Sequence, residues 1–279
     1  MAKKNRTPLF DRIFKPEHIV LDNGHTVDRP KSRTPLILAA FLIIVFISMQ
    51  TTNFNLPRLI SRIGQFPVIL GQIFTPNLHY FDKVIPLLIE TMKMSIVGTV
   101  VGCIIGLPLA ILASSNINKN KPTLLICRFI LSILRSIPTL IYATVFALIF
   151  NLGAFAGTAA IAVFTLSIVA KMLYEAIETI DMGPFEAMQS FGATTLQSFW
   201  TACMPQILPQ YFDNCLYCFE MNVRASSILG YVGAGGLGIL IRERTGYRQY
   251  HDLGTILLTL FVVVWAIDQL NNWIRSKLS

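Results

Sequence analysis

The chain has 279 residues, of which 53% are hydrophobic and 14% charged, and a net charge of +8. Its mean hydropathy is +0.59. A soluble domain carries about a quarter of charged residues, so this composition excludes an ordinary water-soluble fold and predicts a chain that crosses a membrane several times. The positive excess is concentrated on the face expected to be cytoplasmic, where anionic lipid headgroups account for it and no nucleic acid is required.

Residues 1–35 form a basic tail with Lys3, Lys4, Arg6, Arg12, Lys15, Arg29, Lys31 and Arg33, scattered Pro and Gly, and no clear amphipathic period. The positive-inside rule predicts a cytoplasmic tail. Residues 36–83 hold a first span and an external connection. The apolar run Leu36–Met49 reaches spanning length with Thr34, Pro35 and Gln50 to Thr52, and no convincing small-x-small cleavage site follows it. It is therefore expected as a retained anchor rather than a secretion signal. In the connection, Leu56–Phe74 suits an interfacial helix.

Residues 84–279 read as the transmembrane domain. Met94–Ala113 is free of charge and repeats Gly98, Gly102 and Gly106 on one helix face. Such a face lets a neighbouring helix approach closely, either inside the subunit or at a dimer seam. Leu124–Phe150 carries Arg128 and Arg135, and Pro138 is expected to break it, as Pro108 is expected to interrupt its own helix. Ala154–Ala170, Gln206–Leu229 and Leu253–Ile267 complete about six transmembrane helices. The expectation is an all-α polytopic membrane protein with both termini in the cytoplasm. The loops 114–124 and 171–205 and the end 272–279 then face inward, while Arg58, Arg62, Lys83, Arg242, Arg244 and Arg248 fall outside.

Cys103, Cys127, Cys203, Cys215 and Cys218 lie mostly in or beside apolar runs. Cys215 and Cys218 have C-x-x-C spacing without a second pair, so buried small side chains are expected rather than a redox or metal site. His18, His25, His79 and His251 are dispersed, and no metal or other cofactor is expected.

From Lys171 to Pro209 the chain turns polar yet remains helix-friendly. Asp181 is a plausible N-cap, Pro184 suits a first turn, and Glu186 is favourably placed near the positive helix end. A helix over Phe185–Phe191 would end at Gly192 in a left-handed turn. A second piece, Thr195–Met204, would stop at Pro205. Phe185, Phe191, Phe199 and Trp200 are expected as knobs on a membrane-bound nub that fits a partner's groove. Glu186-Ala187-Met188, three residues, Gly192, nine residues, Ala202, one residue, Met204-Pro205 resembles the E-A-A loop of ABC-transporter permeases, whose pattern is E-A-A, three residues, G, nine residues, I-x-L-P. It matches at Glu186, Ala187, Gly192 and Pro205 and departs at Met188, Ala202 and Met204. The resemblance implies that this segment docks into a cytoplasmic ATPase. An ordinary interfacial loop is the plainer alternative.

Glu220, Asn222 and Arg224 sit in a segment otherwise fit to span. Ionisable groups cost about 2.5–3.5 kcal/mol each at mid-membrane on insertion scales, so they face an interior or a watery path. Glu220 and Arg224 share one helix face, which allows either a self-neutralising structural pair or a translocation-path role. Arg135 is a second candidate for meeting an anion. Gly230 to Gly238 contains G-x-G-x-x-G, but no strand precedes it and no Walker lysine is present, so nucleotide binding is not expected. Gly233, Gly235, Gly236 and Gly238 instead suit a tight, re-entrant or gate-forming turn.

The stretch Phe219-Glu220-Met221-Asn222-Val223-Arg224-Ala225, followed by Leu229-Gly230-x-Val232-Gly233-Ala234-Gly235-Gly236-x-Gly238, resembles the phosphonate-uptake permeases of bacteria. The glycine-rich part is shared with methionine and quaternary-amine permeases. The resemblance runs from the second span to the C-terminus. It implies a type I ABC importer permease with a methionine-permease-like fold in the bacterial inner membrane. The partners it implies are an ABC ATPase dimer, an extracytoplasmic substrate-binding protein, and a second permease subunit, identical or paralogous. Import of phosphite, phosphate, methionine or a quaternary amine by the same machinery is the nearest alternative. An ion-coupled secondary transporter working through Glu220 and Arg224 is a second. An intramembrane enzyme finds no H-E-x-x-H or G-x-S-x-G here.

Overall fold

The computed structural model describes residues 17–20, 26–29 and 34–278. Of the tail cations, only Arg29 falls among them. The chain divides into two units, Met1–Phe66 and Pro67–Ser279. In the first, strands β1 (Glu17–Val20) and β2 (Thr26–Arg29) pair antiparallel, with Glu17 opposite Arg29. Apart from this small hairpin the described chain is helical. Helix α1 (Thr34–Thr51) is apolar all round and buries no residue. A helix without a polar face or a core to enter suits lipid as its solvent.

Two short helices, α2 (Leu56–Arg62) and α3 (Gln65–Ile73), replace the single one expected over Leu56–Phe74. The Asn55 side chain starts α2 by accepting from the Arg58 amide at 3.1 Å. Pro57 lies in its first turn, where no amide is needed.

Helix α4 (Phe81–Ala113) corrects two expectations. The charge-free run predicts a start at Met94, but the helix also includes Asp82, Lys83, Glu90 and Lys93. At 33 residues it is about 50 Å long at 1.5 Å per residue, well beyond a ~30 Å hydrocarbon core, so its outer turns need not be apolar. Pro108 does not interrupt it. Near the helix end a proline removes one backbone bond and leaves few turns to misalign.

Helices α5 (Lys121–Ser136) and α6 (Thr139–Phe150) meet at 89°. Here the expected break occurs. Pro138 pushes Ile137 into an extended conformation, φ −89° and ψ 123°, and has no amide to give the Leu134 carbonyl. The Tyr142 hydroxyl supplies that bond instead, donating to Leu134 O at 2.7 Å. Helix α7 (Ala154–Ile177) comes next, then the short α8 (Gly183–Ser190) and α9 (Thr195–Ser198). The remainder is α10 (Met204–Leu229), α11 (Leu237–Gly246) and α12 (Tyr250–Leu278). Taking each bent pair as one crossing gives up to six membrane-spanning segments.

The glycine stripe of α4 is used within the chain. A Cβ added at Gly98 would lie 2.6 Å from Cγ2 of Ile161, and one at Gly102 would lie 2.7 Å from the Ala162 carbonyl oxygen. The α4 backbone thus rests directly on α7. Gly102→Ala should force the helices apart, and overpacking of this kind costs about 1–3 kcal/mol. Its thermal unfolding midpoint in detergent should fall clearly. Gly71→Ala, whose added carbon meets nothing within 4 Å, should leave the midpoint unchanged. Equal midpoints for the two variants would contradict this packing.

Candidate functional site

The polar segment after α7 is built from local signals. Met182 takes the N-cap position of α8 that Asp181 is expected to fill, while the Asp181 carboxylate accepts from the Gly183 amide at 2.9 Å. The helix ends in a Schellman turn. The Gly192 amide donates to Gln189 O at 3.0 Å and the Ala193 amide to Met188 O at 3.1 Å, with Gly192 at φ +88°. A reciprocal capping box then starts α9. Thr194 N donates to the Gln197 side chain at 2.9 Å, and Gln197 N donates to the Thr194 hydroxyl at 3.3 Å. The Thr-x-x-Gln spacing was the available sequence signal for this start.

The second helical piece does not stop at Pro205. A π-type turn over Phe199–Cys203 carries α9 directly into α10. Pro205 lies in the first turn of α10, and the helical path continues through it. The four aromatic residues expected as outward knobs divide into two pairs. Phe185 and Phe199 are buried in a cluster with Ala113, Leu131, Leu173, Ile177 and Ile207. Phe191 is 89% exposed and Trp200 50%. Glu186, Ala187, Gly192 and Pro205 are also exposed.

A polar joint that sequence reasoning missed sits beside this nub. Glu178, just past α7, accepts from the Ser115 amide at 2.8 Å, and the same oxygen meets the Ser115 hydroxyl and the Arg128 guanidinium. Arg128 Nε donates to Ala113 O at 2.8 Å, and its guanidinium lies 4.8 Å from the Tyr174 ring centroid. Asn116 Nδ2 donates to Ile177 O at 3.2 Å. The ends of α4 and α7 and the middle of α5 are thereby tied together. Burial alone would raise the Glu178 pKa, but the Ser115 hydrogen bonds and the Arg128 charge outweigh it and hold the group below its ordinary value.

In α10, Glu220 and Arg224 form an ion pair. Glu220 is buried, while the Arg224 side chain remains 59% exposed. Asn222 faces the other way. It is buried, and its Nδ2 donates to the hydroxyls of Thr99 at 2.8 Å and Thr165 at 2.7 Å. It therefore bridges α4, α7 and α10 in this conformation. Arg135 is exposed and lines a small cavity with Arg128, Ser132, Lys171 and Tyr174.

The glycine run makes a tight turn after α10. Gly233, Gly235 and Gly236 have φ of +78°, +85° and +71°. A Cβ on Gly238 would fall 2.2 Å from Ser227 O. The turn is held by Leu237 N donating to the Thr91 hydroxyl at 2.8 Å and Gly153 N donating to Gly233 O at 2.9 Å. It redirects the chain by 52° into α11.

Residues 106–278 match the model of a family described as the binding-protein-dependent transport system inner membrane component. The chain belongs to this family. Among its relatives, the phosphate-import permease protein PhnE of Mycolicibacterium smegmatis is 38% identical over 189 residues, covering 68% of this chain and 36% of that protein. The chain thus spans about a third of that relative's length. The phosphite transport system permease protein PtxC of Stutzerimonas stutzeri is 32% identical over 218 residues, covering 78% of this chain and 79% of that one. The structure is similar to an inward-facing form of the MetNI methionine ABC transporter, with a TM-score of 0.66 and 26% identity, covering 73% of this chain and 99% of that one. This inner membrane component therefore has the type I ABC importer permease fold.

The lowered Glu178 pKa fixes the sign of a pH dependence. Its contribution to stability is present above the unfolded carboxylate value, about 4.3, and is lost as pH falls through the folded value. Glu178→Gln should unfold at lower temperature than the parent at neutral pH, and the difference should shrink on acidification below about pH 4. A difference that stays constant with pH would count against the joint.

Proposed function

We propose that this chain is the membrane-spanning permease subunit of an ATP-driven importer for phosphonates or related phosphorus oxyanions, among them phosphite and phosphate. The observation that carries the coupling role is the division of aromatic residues around α8. Phe185 and Phe199 root the nub in the helix bundle, while Phe191 and Trp200 stand out from it beside Glu186 and Ala187. An exposed apolar knob on a rooted helix suits a groove in a soluble partner. The names of the relatives and the Phe219–Ala225 stretch support the cargo class.

The partners proposed are a cytoplasmic ATPase dimer that hydrolyses ATP, an extracytoplasmic binding protein, and a second permease subunit. The membrane is the bacterial inner membrane, with both termini cytoplasmic. ATP-driven closure of the ATPases would move the Glu186–Pro205 nub and rock the attached helices between inward-open and outward-open states. Arg224, oriented by Glu220, has guanidinium donors left for an anion in the path. Asn222 acts behind it by pinning α10 to α4 and α7. Arg135 is the further path candidate. The turn at Gly233, Gly235, Gly236 and Gly238 would serve as a gate.

Methionine is a second cargo reading, favoured by the structural similarity to the methionine transporter. Uptake competition in the complete system separates the two. Phosphonates or phosphite should block uptake and methionine should not. Protection by methionine alone would overturn the cargo assignment, and uptake persisting without any ATPase subunit would favour a secondary transporter. Gly192→Pro should abolish uptake while the chain still inserts, because φ +88° is closed to a ring fixed near −65°. A cysteine replacing Phe191 should cross-link to the ATPase. Normal uptake by Gly192→Pro, or no cross-link from position 191, would remove the coupling role.

A further inference from the structure

Beside the polar joint, α5 and α7 enclose a cavity of about 70 Å³ lined by Arg128, Leu131, Ser132, Arg135, Lys171 and Tyr174. On α5, positions 128, 131, 132 and 135 fall on one face over two turns, and on α7 positions 171 and 174 do the same. Three cations therefore meet around one small space. They are not equally satisfied. Arg128 is held by Glu178 and by the Ala113 carbonyl. Lys171 pairs with Glu175 at 3.1 Å, but that carboxylate is 53% exposed, and exposed pairs of this spacing are weak. Arg135 has no ion pair among the described residues. The rim also offers the hydroxyls of Ser132 and Tyr174.

We propose that this cavity binds one tetrahedral phosphorus oxyanion, either as a free anion or as the phosphate of an anionic lipid headgroup. The cavity's volume of about 70 Å³ is several times the ~10–15 Å³ that admits one water, so a group as small as a single phosphate can enter it. Arg135 supplies a planar fork for two oxygens, Lys171 a point charge exchanged from Glu175, and Ser132 a neutral donor. Arg128 adds positive potential without leaving Glu178. The cavity lies at the end of the bundle that carries the coupling segment. A free anion there would be cargo late in its passage, an assignment that rests on the importer reading above. A headgroup there would hold that end of α5 against α7.

The full-length chain is reconstituted in phosphatidylcholine nanodiscs and titrated with radiolabelled inorganic phosphate. A parallel sample in discs containing phosphatidylglycerol is assayed for retained lipid by native mass spectrometry. Saturable binding of at least one probe is expected. Arg135→Gln and Lys171→Gln should each weaken it about tenfold or more, Arg135→Lys should recover part of the loss, and Arg62→Gln, at an exposed cation of α2 outside the cavity, should have no effect. Phosphate binding with this pattern identifies a free-oxyanion site. Retention of phosphatidylglycerol alone with this pattern identifies a headgroup site. If neither probe binds, or if both glutamine variants bind as the parent does, the proposal is overturned. Should a glutamine variant fail to fold, Ser132→Leu, which fills the cavity from an exposed position, is expected to show the same loss, and full binding by it would be equally decisive. No ATPase, binding protein or uptake enters the measurement, so failure of the importer reading and failure of this site are separable.

Discussion

The close crossing of α4 and α7 is the contact on which the other features depend. Lipid provides no hydrophobic drive between helices, so association rests on surface fit and on hydrogen bonds. Gly98 and Gly102 provide the fit by bringing the α4 backbone against Ile161 and the Ala162 carbonyl. At that separation Thr99 and Thr165 stand near enough for a single amide, that of Asn222, to donate to both. The polar helix α10 is thereby fixed to a pair that is already rigid. A side chain at Gly102 would remove the geometry that makes Asn222 useful. The position of Glu220 and Arg224 is set by the same contact, because they occupy the opposite side of the helix that Asn222 anchors.

Breaks in the helices obey a second constraint, since a backbone group left unpaired away from water costs several kcal/mol. Each break has its own remedy. The carbonyl that Pro138 leaves open is met by the Tyr142 hydroxyl. In the glycine turn, Leu237 N finds the Thr91 hydroxyl and Gly233 O accepts from Gly153 N. Glycine is needed for two reasons in that turn, the positive φ at Gly233, Gly235 and Gly236 and the close approach of Gly238 to Ser227 O. The turn and the Pro138 break are specific devices, each held by a side chain or backbone group from another part of the chain.

Local chemistry is legible in the sequence, and long-range pairing is not. The Gly192 turn, the Pro138 break and the Glu220–Arg224 pair each depend on residues within a few positions of one another. The start of α4 is misplaced by its charges, because they mark the boundary of the apolar run and not that of the helix. Pro108 resembles a break because nothing local distinguishes it from Pro138. The two differ in the chain beyond the ring, a helix end after Pro108 and a redirected helix after Pro138. The hydrogen bonds of Asn222 are not legible in the sequence, because its partners, Thr99 and Thr165, are ordinary threonines far away in the chain. Arg128 and Glu178 are 50 residues apart, and an arginine inside an apolar run is the only hint that a carboxylate has to be found for it. The aromatic residues of the nub are recognisable as a group, but their division between core and surface depends on where the bundle lies.

That division also bears on how a push on α8 would travel in the proposed importer. Phe185 and Phe199 enter a cluster that includes residues of α4, α5, α7 and α10, and a close-packed interior transmits displacement instead of absorbing it. Packing alone resists compression better than separation. The Glu178 joint adds directional bonds between the ends of α4 and α7 and the middle of α5, so a pull is opposed as well as a push. The π-turn over Phe199–Cys203 then continues without a gap into α10, the helix that holds Glu220 and Arg224. A loop at that junction would decouple the nub from the polar span, whereas a continuous helical path moves them together. For this reason the failure of Pro205 to end the helix matters mechanically: with its ring in the first turn of α10, it leaves the connection between coupling element and candidate path unbroken.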